Sequence, residues 1–402
     1  MDITAFLTTY RGKPVVLEGE NFSGRTALLH RCVADRSQKG DPAVYLGSSV
    51  HRYLSSLMPS VHDELYLHVF GARHEKSLFC LAESFGLTRC FYQSPFTLSG
   101  GEQALLAILS QLGMEPTLLA LDSTLGELDQ VNRVRITQVF SSPVAENTIT
   151  VLTENGYARD RTGNLPIRRP VSEFVEPSTK PPRFCASDFR FIPSANRGCL
   201  EADEIRFSYR AGFPILCGVS FRLEPGRIYS LEGRNGAGKS TLAQILVGAL
   251  PLRRGKISFG GRIFNAWKNP GQIVVMHMQN PDIQLFSNSV SKELSDLPAL
   301  SSGSAAALAG VENLMLEHPF DLPFVLRKRL TFSLIANLRR PWFIFDEPTL
   351  GQDVRACDQM VAILRQMAKN GAGIIVISHS QEFICRLETQ RLWLENGFMR
   401  EL

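Results

Sequence analysis

The sequence contains two copies of one pattern, and this duplication limits the possible folds more than any other feature. The copies align at three places: residues 15–29 with 229–243, residues 119–129 with 344–353, and residues 149–155 with 374–380. Gly19 aligns with Gly233 at an offset of 214 residues, and Asp122 aligns with Asp346 at an offset of 224. Matches that occur in one order at nearly one offset predict two similar domains within one chain.

Short apolar runs alternate with helical patterns in both copies. VVLEG, LLALD and TITVLT in the first copy are typical of buried strands, as are IYSLEG, WFIFD and GIIVIS in the second. TALLHRCVA and TLAQILVGA follow the first of these strands in each copy and have helical periodicity. This alternation predicts an α/β fold in which each domain has a mostly parallel sheet at its core.

A proline-rich segment separates the two copies. Six prolines lie between Gly156 and Glu201, and the periodic apolar pattern fades there. Because proline lacks a backbone donor, such a segment favours an extended linker. The sequence therefore predicts a first domain at residues 1–165, a linker at 166–197 and a second domain at 198–402.

Composition excludes several classes of protein. The chain has 402 residues, of which 44% are apolar, and this content is typical of a globular protein rather than a disordered one. No stretch reaches the roughly 18 apolar residues of a membrane span, and the N-terminus lacks the features of a secretory signal. A net charge of +4 does not favour nucleic-acid binding. The eight cysteines include no CxxC pair, which disfavours zinc or disulfides and suits a reducing cytosol.

Residues 233–240 read GRNGAGKS and satisfy the phosphate-loop pattern G-x-x-x-x-G-K-[ST]. A strand-like run precedes the motif and a helix-like run follows it, which is the context that the motif requires. Lys239 is expected to contact the β- and γ-phosphates, and the Ser240 hydroxyl is expected to bind Mg²⁺. A glycine-rich turn without a ligand is the alternative, and the flanking strand and helix disfavour it.

The apolar run WFIFDEP at residues 342–348 ends in two acidic residues. Asp346 is expected to hold Mg²⁺, and Glu347 is a candidate general base for the attacking water. The pair alone is a weak signal, because acidic residues are common at the ends of strands. A phosphate loop earlier in the same copy makes it a strong one.

Further motifs resemble those of ATP-binding cassette (ABC) ATPases. LSGGEQ at 98–103 resembles the signature motif, DEPTLGQD at 346–353 the Walker B motif and D-loop, SHS at 378–380 the His switch, and FSY at 207–209 the aromatic A-loop. QNPDIQLFSNSV at 279–290 resembles the Q-loop region of energy-coupling-factor (ECF) type ABC ATPases, which drive importers of vitamins and transition-metal ions. The resemblance implies two P-loop NTPase domains of ABC type, each with a helical subdomain.

The resemblance implies one complete ATP site that is shared between the two domains. The residues implied to bind nucleotide are Gly233, Asn235, Gly236, Gly238, Lys239, Ser240, Thr241 and Tyr209, with Ser99, Gly100, Gly101 and Asp129 from the first domain. The implied catalytic residues are Glu347, His379 and Gln279, and the implied metal ligands are Ser240, Asp346 and Gln279.

The second implied site departs from the family pattern at five places. Arg25 replaces the phosphate-loop lysine, Ser123 replaces the catalytic carboxylate, and Glu154 occupies the His-switch position. The Q-loop region at 45–54 has no glutamine, and LPFVL at 322–326 stands where a signature motif is expected. Its remaining elements are Gly19, Thr26 and Asp122. Five losses in one site predict that it hydrolyses ATP very slowly or not at all, while nucleotide binding there is left open.

The resemblance implies an ATP-hydrolysing subunit of an ECF-type importer, with ATP and Mg²⁺ as its cofactors. Such a subunit is expected at the cytoplasmic face of the membrane, with a transmembrane permease subunit, a substrate-binding membrane subunit and no nucleic-acid partner. A soluble tandem ABC ATPase in translation or DNA repair is the alternative, and a nucleotide-binding scaffold without turnover is a third. The short proline-rich linker, the degenerate site and the QNPD segment favour transport.

One run of basic residues is not part of these motifs. Arg327, Lys328 and Arg329 follow the degenerate signature directly. A run of this kind usually covers a solvated helix face or contacts a partner, and the sequence alone favours that interpretation.

Overall fold

The computed structural model describes residues 3–401, apart from 20, 22, 48, 49, 56, 129, 155–166, 176–183, 210, 211, 235 and 296–301. The chain divides into two compact units. The first comprises Met1–Pro181 together with Gly351–Val354, and the second comprises Pro182–Leu350 together with Arg355–Leu402. Both units mix helices with parallel sheet, which confirms the predicted α/β fold class. None of the helices within the described residues combines the length and apolarity that a bilayer crossing requires.

The described part of the first unit contains one sheet. Its strands are β1 (Val15–Glu18), β2 (Ala43–Leu46), β3 (Leu118–Asp122), β4 (Ile149–Glu154) and β5 (Arg168–Pro170). Its helices are α1 (Ile3–Thr8), α2 (Arg25–Gln38), α3 (Val61–Val69), α4 (Glu75–Ser84), α5 (Gly100–Gly113) and α6 (Gln130–Val139). The strands are all parallel, in the order β2-β3-β4-β1-β5. Parallel sheets are covered on both faces, which explains why β3 is a continuous apolar run.

Helices α3, α4 and α5 lie between β2 and β3 in the sequence and share one core. Val61 and Leu65 of α3, Leu78 of α4 and Leu105 of α5 are buried in it. Because α5 is apolar almost all round, its residues from Ala104 to Leu109 are all buried. The first unit therefore has a helical subdomain beside its sheet.

The second unit is larger. Its strands are β6 (Leu200–Phe207), β7 (Leu216–Leu223), β8 (Ile228–Glu232), β9 (Arg254–Phe259), β10 (Arg262–Ile263), β11 (Val274–His277), β12 (Trp342–Asp346), β13 (Gly373–Ile377), β14 (Gln390–Glu395) and β15 (Phe398–Glu401). Its helices are α7 (Lys239–Val247), α8 (Val290–Ser295), α9 (Ser302–Ala309), α10 (Phe324–Ala336), α11 (Val354–Lys369) and α12 (Gln381–Leu387). An antiparallel sheet has the order β10-β9-β6-β7, and a six-stranded sheet has the order β11-β12-β13-β8-β14-β15.

The two units place five strands in the same order. The order β2-β3-β4-β1-β5 of the first unit corresponds to β11-β12-β13-β8-β14 of the second. In both sheets the strand before the phosphate loop, β1 or β8, pairs with the strand that ends near the His-switch position, β4 or β13. The sheet topology thus repeats along the chain as the sequence motifs do.

Parts of the proline-rich segment are built into the two units. Residues Arg168–Pro170 form β5, which pairs in parallel with β1. Phe184, Phe189 and Phe191 are buried in the second unit. The sequence predicted an extended linker over 166–197, but an edge strand tolerates proline and the phenylalanines provide apolar anchors, so these described residues pair or pack. Residues 166 and 176–183 lie outside the described part, and the predicted domain bounds stay predictions.

Candidate active site

The phosphate loop of the second unit joins β8 to α7. Gly238 has a φ of 99° and precedes the first residue of α7, a conformation that glycine adopts without strain. Lys239 begins the helix, and its Nζ donates to the carbonyl oxygens of Gly233 at 2.7 Å and Arg234 at 3.2 Å. The ammonium group therefore lies over the loop, where a phosphate would meet it. Asn235 lies outside the described residues.

Two further predicted nucleotide contacts lie beside this helix. Ser240 is exposed and Thr241 is buried. The Tyr209 hydroxyl lies 3.3 Å from the Thr241 hydroxyl, and its ring packs edge-on against Phe207 at 5.0 Å. Tyr209 keeps 53% of its surface exposed, so its ring is accessible for stacking on a base.

Glu347 and His379 are brought together at the ends of β12 and β13. The Glu347 carboxylate accepts hydrogen bonds from the backbone N–H of His379 at 2.8 Å and from the Ser378 hydroxyl at 3.2 Å. The His379 Nε2 lies 3.8 Å from a Glu347 oxygen. Glu347 has a φ of 43°, a strained conformation for a residue with a side chain. Strain of this kind is typical of functional positions.

Both acidic residues of this site are hard to ionise. Burial raises the pKa of Glu347 to about 7, although hydrogen bonds from His379 and Ser378 oppose this. Burial also raises the pKa of Asp346, and the neighbouring Glu347 charge raises it further. A carboxylate with a pKa near neutrality is a better general base than an ordinary glutamate.

The basic run at the start of α10 is buried, so the predicted solvated face is wrong. Lys328 has no exposed surface, and its Nζ donates to the carbonyl oxygens of Met278 at 3.2 Å and Gln279 at 2.6 Å. Arg327 is 4% exposed and Arg329 3%. Burial of Lys328 and Arg327 is possible because backbone carbonyls accept their hydrogen bonds and the Asp282 carboxylate forms an ion pair with Arg327. Gln279 is thereby fixed through its backbone to α10.

Side chains of the QNPD-x-Q segment hold the Q-loop in place. Asp282 forms an ion pair with Arg327 at 2.7 Å, and both side chains are largely buried. The Gln284 side chain accepts from the Met278 N–H at 2.7 Å and donates to the Met276 carbonyl at 2.8 Å. Gln284 thus holds the backbone at the end of β11, and Asp282 connects the segment to α10.

One repeated motif escaped the sequence analysis. SVSKEL at 289–294 matches SVHDEL at 60–65. The buried Glu293 carboxylate accepts from the N–H groups of Phe286 and Ser287 at 2.9 and 2.7 Å, and the buried Glu64 accepts from the Ser55 N–H at 3.0 Å. A buried glutamate thus holds the preceding loop in each unit. The repeated S-V-x-x-E-L pattern was the signal in the sequence.

The predicted signature motif in the first unit starts α5. The Ser99 hydroxyl caps the helix by accepting from the Glu102 N–H, and the Glu102 carboxylate accepts from the Ser99 N–H at 3.0 Å. Gly100 and Gly101 are the first residues of the helix, so their N–H groups are free of intrahelical bonds and suit an anion. The corresponding helix of the second unit, α10, has Pro323 at this position and no side-chain cap.

The first unit also has a loop between β1 and α2, of which residues 20 and 22 lie outside the described part. Gly24 has a φ of 89° and precedes α2, as Gly238 precedes α7. Arg25 is buried, and its Nη2 donates to the Asn21 side-chain oxygen at 3.0 Å. Asn21 in turn donates from its N–H to Asp353, a residue of the segment that belongs to the first unit, at 3.2 Å.

Asp122 at the end of β3 is surrounded by hydroxyl groups. Thr26 and Tyr45 donate to one carboxylate oxygen at 2.5 and 3.0 Å, and Thr153 donates to the other at 2.5 Å. Burial raises the pKa of Tyr45 strongly and Asp122 raises it further, so the hydroxyl keeps its proton. Ser123 has a φ of 57° and occupies the same strained position as Glu347 in the second unit. The Glu154 side chain and all of Asp129 lie outside the described residues.

The donor set of the second unit fits Mg²⁺. Ser240 and Asp346 offer a hydroxyl and a carboxylate, which are the hard oxygen ligands that Mg²⁺ prefers. Within the described residues no side chain hydrogen-bonds to the Asp346 carboxylate, and no group of three His, Cys, Asp or Glu residues could hold a metal alone. Mg²⁺ at nucleotide sites typically has one or two protein ligands and completes its shell with phosphate and water.

Comparisons with known proteins agree with this geometry. Residues 216–350 match the family model described as ABC transporter, a segment that includes the phosphate loop, Asp346 and Glu347. An ABC transporter ATP-binding protein of Bacillus cereus is 29% identical over 214 residues, which cover 50% of this chain and 38% of that protein. This chain therefore spans well under half the length of that relative.

Two further relatives and one solved structure are similar to parts of this chain. An ABC transporter ATP-binding protein of Treponema denticola is 26% identical over 336 residues, 76% of this chain and 68% of that protein. The energy-coupling factor transporter ATP-binding protein EcfA of Methanothermobacter thermautotrophicus is 28% identical over 215 residues, 49% of this chain and 68% of that protein. The structure of cbiO1 from Clostridium perfringens, part of the complex cbiONQ, has 25% identity and a TM-score of 0.45, covering 51% and 88% of the two chains.

Proposed function

We propose that this chain, which contains an ABC transporter ATPase domain, is an ATP-binding and ATP-hydrolysing subunit of an ECF-type importer. The proposal rests mainly on the arrangement of the second unit. Lys239 lies over the phosphate loop there, and the Glu347 carboxylate accepts a hydrogen bond from the His379 N–H. Those groups bind phosphate and accept a proton, which are the two tasks of ATP hydrolysis. The EcfA relative supports the ECF type.

The residues of the second unit divide the chemistry between them. Lys239 and the loop N–H groups bind the β- and γ-phosphates, and Tyr209 stacks on adenine. Ser240 and Asp346 hold Mg²⁺, which neutralises charge on the phosphates. Glu347 accepts the proton of the attacking water, and its raised pKa suits that step. His379, whose Nε2 lies 3.8 Å from a Glu347 oxygen, is proposed to position the water beside the γ-phosphate.

The proposal includes one complete site and one degenerate one. We propose that the complete site takes Ser99, Gly100 and Gly101 from the first unit, because the capped start of α5 has N–H groups that suit a γ-phosphate. The degenerate site lacks a general base, since Ser123 has no carboxylate. We propose that ATP closes the two units around the complete site and that hydrolysis lets them reopen. Asp129 and Gln279 are assigned to this site by the resemblance alone.

Exposed apolar side chains near the Q-loop support a membrane partner. Phe286 is 86% exposed and Leu316 is 92% exposed. Leu57 and Phe70, near the matching loop of the first unit, are also exposed. Apolar side chains grouped on a surface typically mark contacts with other proteins. The proposed partner is a transmembrane permease subunit with a substrate-binding membrane subunit, which places the chain at the cytoplasmic face of the membrane.

The test is recovery of membrane subunits with the full chain from detergent-solubilised cells. We expect a multi-span membrane protein to co-purify with the wild type and to be lost with Phe286→Asp. Ile263→Asp is the matched control, because Ile263 is also exposed but lies on β10, away from the Q-loop. Recovery with ribosomes or DNA instead, unchanged by Phe286→Asp, would favour the alternative of a soluble tandem ATPase.

A second arm of the test measures Mg²⁺-dependent ATP hydrolysis by the purified chain. Lys239→Ala removes the ammonium group from the phosphate loop, so we expect a loss of at least about 100-fold in kcat/KM. An unchanged rate would contradict the assignment of the second unit as the working site. No hydrolysis by the wild type, alone or with its membrane subunits, would favour a scaffold without turnover.

A further inference from the structure

We propose that the phosphate loop of the first unit binds nucleotide without Mg²⁺, because hydroxyl groups of the protein occupy the carboxylate that would hold the metal. The inference rests on the proposed function and concerns the site that the sequence left open. It assigns to the described residues Gly19, Gly24, Arg25 and Thr26 a ligand class, the metal-free nucleoside polyphosphate. The observation that supports it is that three hydroxyl groups donate hydrogen bonds to the Asp122 carboxylate.

The hydrogen bonds on Asp122 leave little room for a metal-bound water. A carboxylate offers about four lone-pair sites, and hydroxyl donors fill three of them here. Both sites on one oxygen are used, by Thr26 at 2.5 Å and Tyr45 at 3.0 Å. Thr26 is also the residue whose hydroxyl would bind the metal. In the second unit the described residues place no side-chain hydrogen bond on Asp346, so the lone pairs of the equivalent carboxylate are not taken by side-chain donors.

Tyr45 is the residue that distinguishes the two units. In the first unit, Tyr45 lies opposite Ala120, which is two residues before Asp122. In the second unit, Met276 lies opposite Ile344, which is two residues before Asp346. Met276 is therefore the counterpart of Tyr45. The second unit therefore has a thioether where the first has a hydroxyl. The Tyr45 ring stacks on His30 with 4.0 Å between centroids, which fixes the hydroxyl against Asp122.

Thr153 completes the network on Asp122. Strand register places Thr153 opposite Asp122, whereas Ile377, which has no hydroxyl, lies opposite Asp346 in the second unit. The Ser123 N–H then donates to the Thr153 hydroxyl at 3.1 Å. The second unit therefore has no hydroxyl at the place from which Thr153 donates to Asp122.

Arg25 keeps one positive charge at the position of the phosphate-loop lysine. Its guanidinium is buried and is attracted electrostatically by Asp122 and Asp353. A guanidinium is always charged and can donate two parallel hydrogen bonds to phosphate oxygens. Bound polyphosphate would therefore meet a fixed cation at this loop. Mg²⁺ would add charge there only by displacing the hydroxyl donors of Asp122.

The experiment counts bound Mn²⁺ and nucleotide on the full chain. Mn²⁺ replaces Mg²⁺ and is measured by electron paramagnetic resonance, and bound AMP-PNP is measured by equilibrium dialysis. We expect two AMP-PNP and one Mn²⁺ per chain, with one AMP-PNP retained in excess EDTA. Asp346→Asn should remove the Mn²⁺, Asp122→Asn should leave the count at one, and Arg25→Ala should remove the EDTA-resistant nucleotide.

Two results would overturn the inference: a second bound Mn²⁺ in the wild type, or no AMP-PNP retained in EDTA. Because both are read from the wild type, a variant that fails to fold does not weaken the test. Failure of the proposed function has a different signature. In that case Asp346→Asn would leave Mn²⁺ binding unchanged, or no Mn²⁺ would bind with AMP-PNP at all.

Discussion

A glutamate precedes each phosphate loop, and an arginine from the neighbouring strand holds it. Arg391 donates to both oxygens of Glu232 at 2.7 and 2.6 Å, and Arg168 contacts Glu18 at 2.5 Å. The register is the same in both sheets: Arg391 lies opposite Ser230, and Arg168 lies opposite Val16, two residues before each glutamate. At the residue scale, this pair supports the base of each phosphate loop.

The two ion pairs differ in burial, and this predicts unequal costs of breaking them. The Glu232 side chain is 4% exposed, whereas that of Glu18 is 36% exposed. Arg391→Met leaves a buried carboxylate without its partner, so we expect a loss on the order of 2 kcal/mol in the free energy of unfolding. Arg168→Met, the matched control, should cost under about 1 kcal/mol. Urea denaturation measures both, and equal losses would contradict the interpretation.

The raised pKa of Glu347 predicts a pH-dependent stability. A carboxyl group whose folded pKa exceeds its unfolded value binds its proton more tightly in the folded state. It therefore stabilises the fold below the unfolded pKa, near 4.5, and this contribution is lost as the pH rises to about 7. Glu347→Gln is always neutral, so we expect it to be more stable than the wild type at pH 8 by on the order of 2 kcal/mol.

The measurement is chemical denaturation at pH 5 and pH 8, without nucleotide and in the presence of EDTA. At pH 5 the folded Glu347 is largely protonated, so the two proteins should have nearly equal stability. An equal gain at both pH values would show that the substitution acts through packing rather than through charge.

At the scale of secondary-structure elements, buried basic side chains of α10 connect this helix to the Q-loop. Lys328 donates to two Q-loop carbonyls, and Arg327 pairs with Asp282 from the segment that follows. The Arg327 guanidinium also donates to the Leu322 carbonyl at 2.7 Å, which holds the turn before α10. A displacement of the Q-loop therefore has to move α10 or break buried hydrogen bonds.

Lys328→Met tests this connection. The substitution keeps the apolar stem and leaves two partly buried carbonyls without this donor, so we expect it to destabilise the chain by about 1–3 kcal/mol. We also expect a lower kcat with a smaller change in KM, because Gln279 would lose its fixed position. Lys292→Met on α8 is the control, since Lys292 is exposed and should change stability by under about 0.5 kcal/mol.

Elements with a single strong signal were predictable from the sequence, and elements that depend on long-range partners were not. The apolar runs at β3, β8, β12 and β13 predicted parallel strands because burial on both faces requires them to be apolar throughout. The burial of Lys328 depends on carbonyls about 50 residues earlier, which no local pattern reveals. β5 was missed because proline masks an edge strand.

Residues of the candidate site also differ in whether the sequence could predict them. The phosphate loop and the Asp346–Glu347 pair are local motifs with fixed spacing, so their chemistry could be read from the sequence. The Tyr45 contact with Asp122 could not, because it joins residues 77 positions apart across two strands. Only the sheet register brings them together.

At the scale of the whole molecule, one sheet topology occurs twice with different chemistry at the same positions. Glu347 and Ser123 share a strained backbone conformation, but only Glu347 has a carboxylate. Lys239 and Arg25 both begin a helix after a glycine in the left-handed conformation. We therefore propose that the second unit hydrolyses ATP and that the first unit only binds nucleotide.

The rate of Mg²⁺-dependent ATP hydrolysis in two matched variants tests this asymmetry most directly. Glu347→Gln and Ser123→Ala change one side chain each at equivalent positions. Removal of a general base typically costs about 100- to 10,000-fold in rate, so we predict a loss of that size in Glu347→Gln and less than about a twofold change in Ser123→Ala. Comparable losses in both variants would contradict the account.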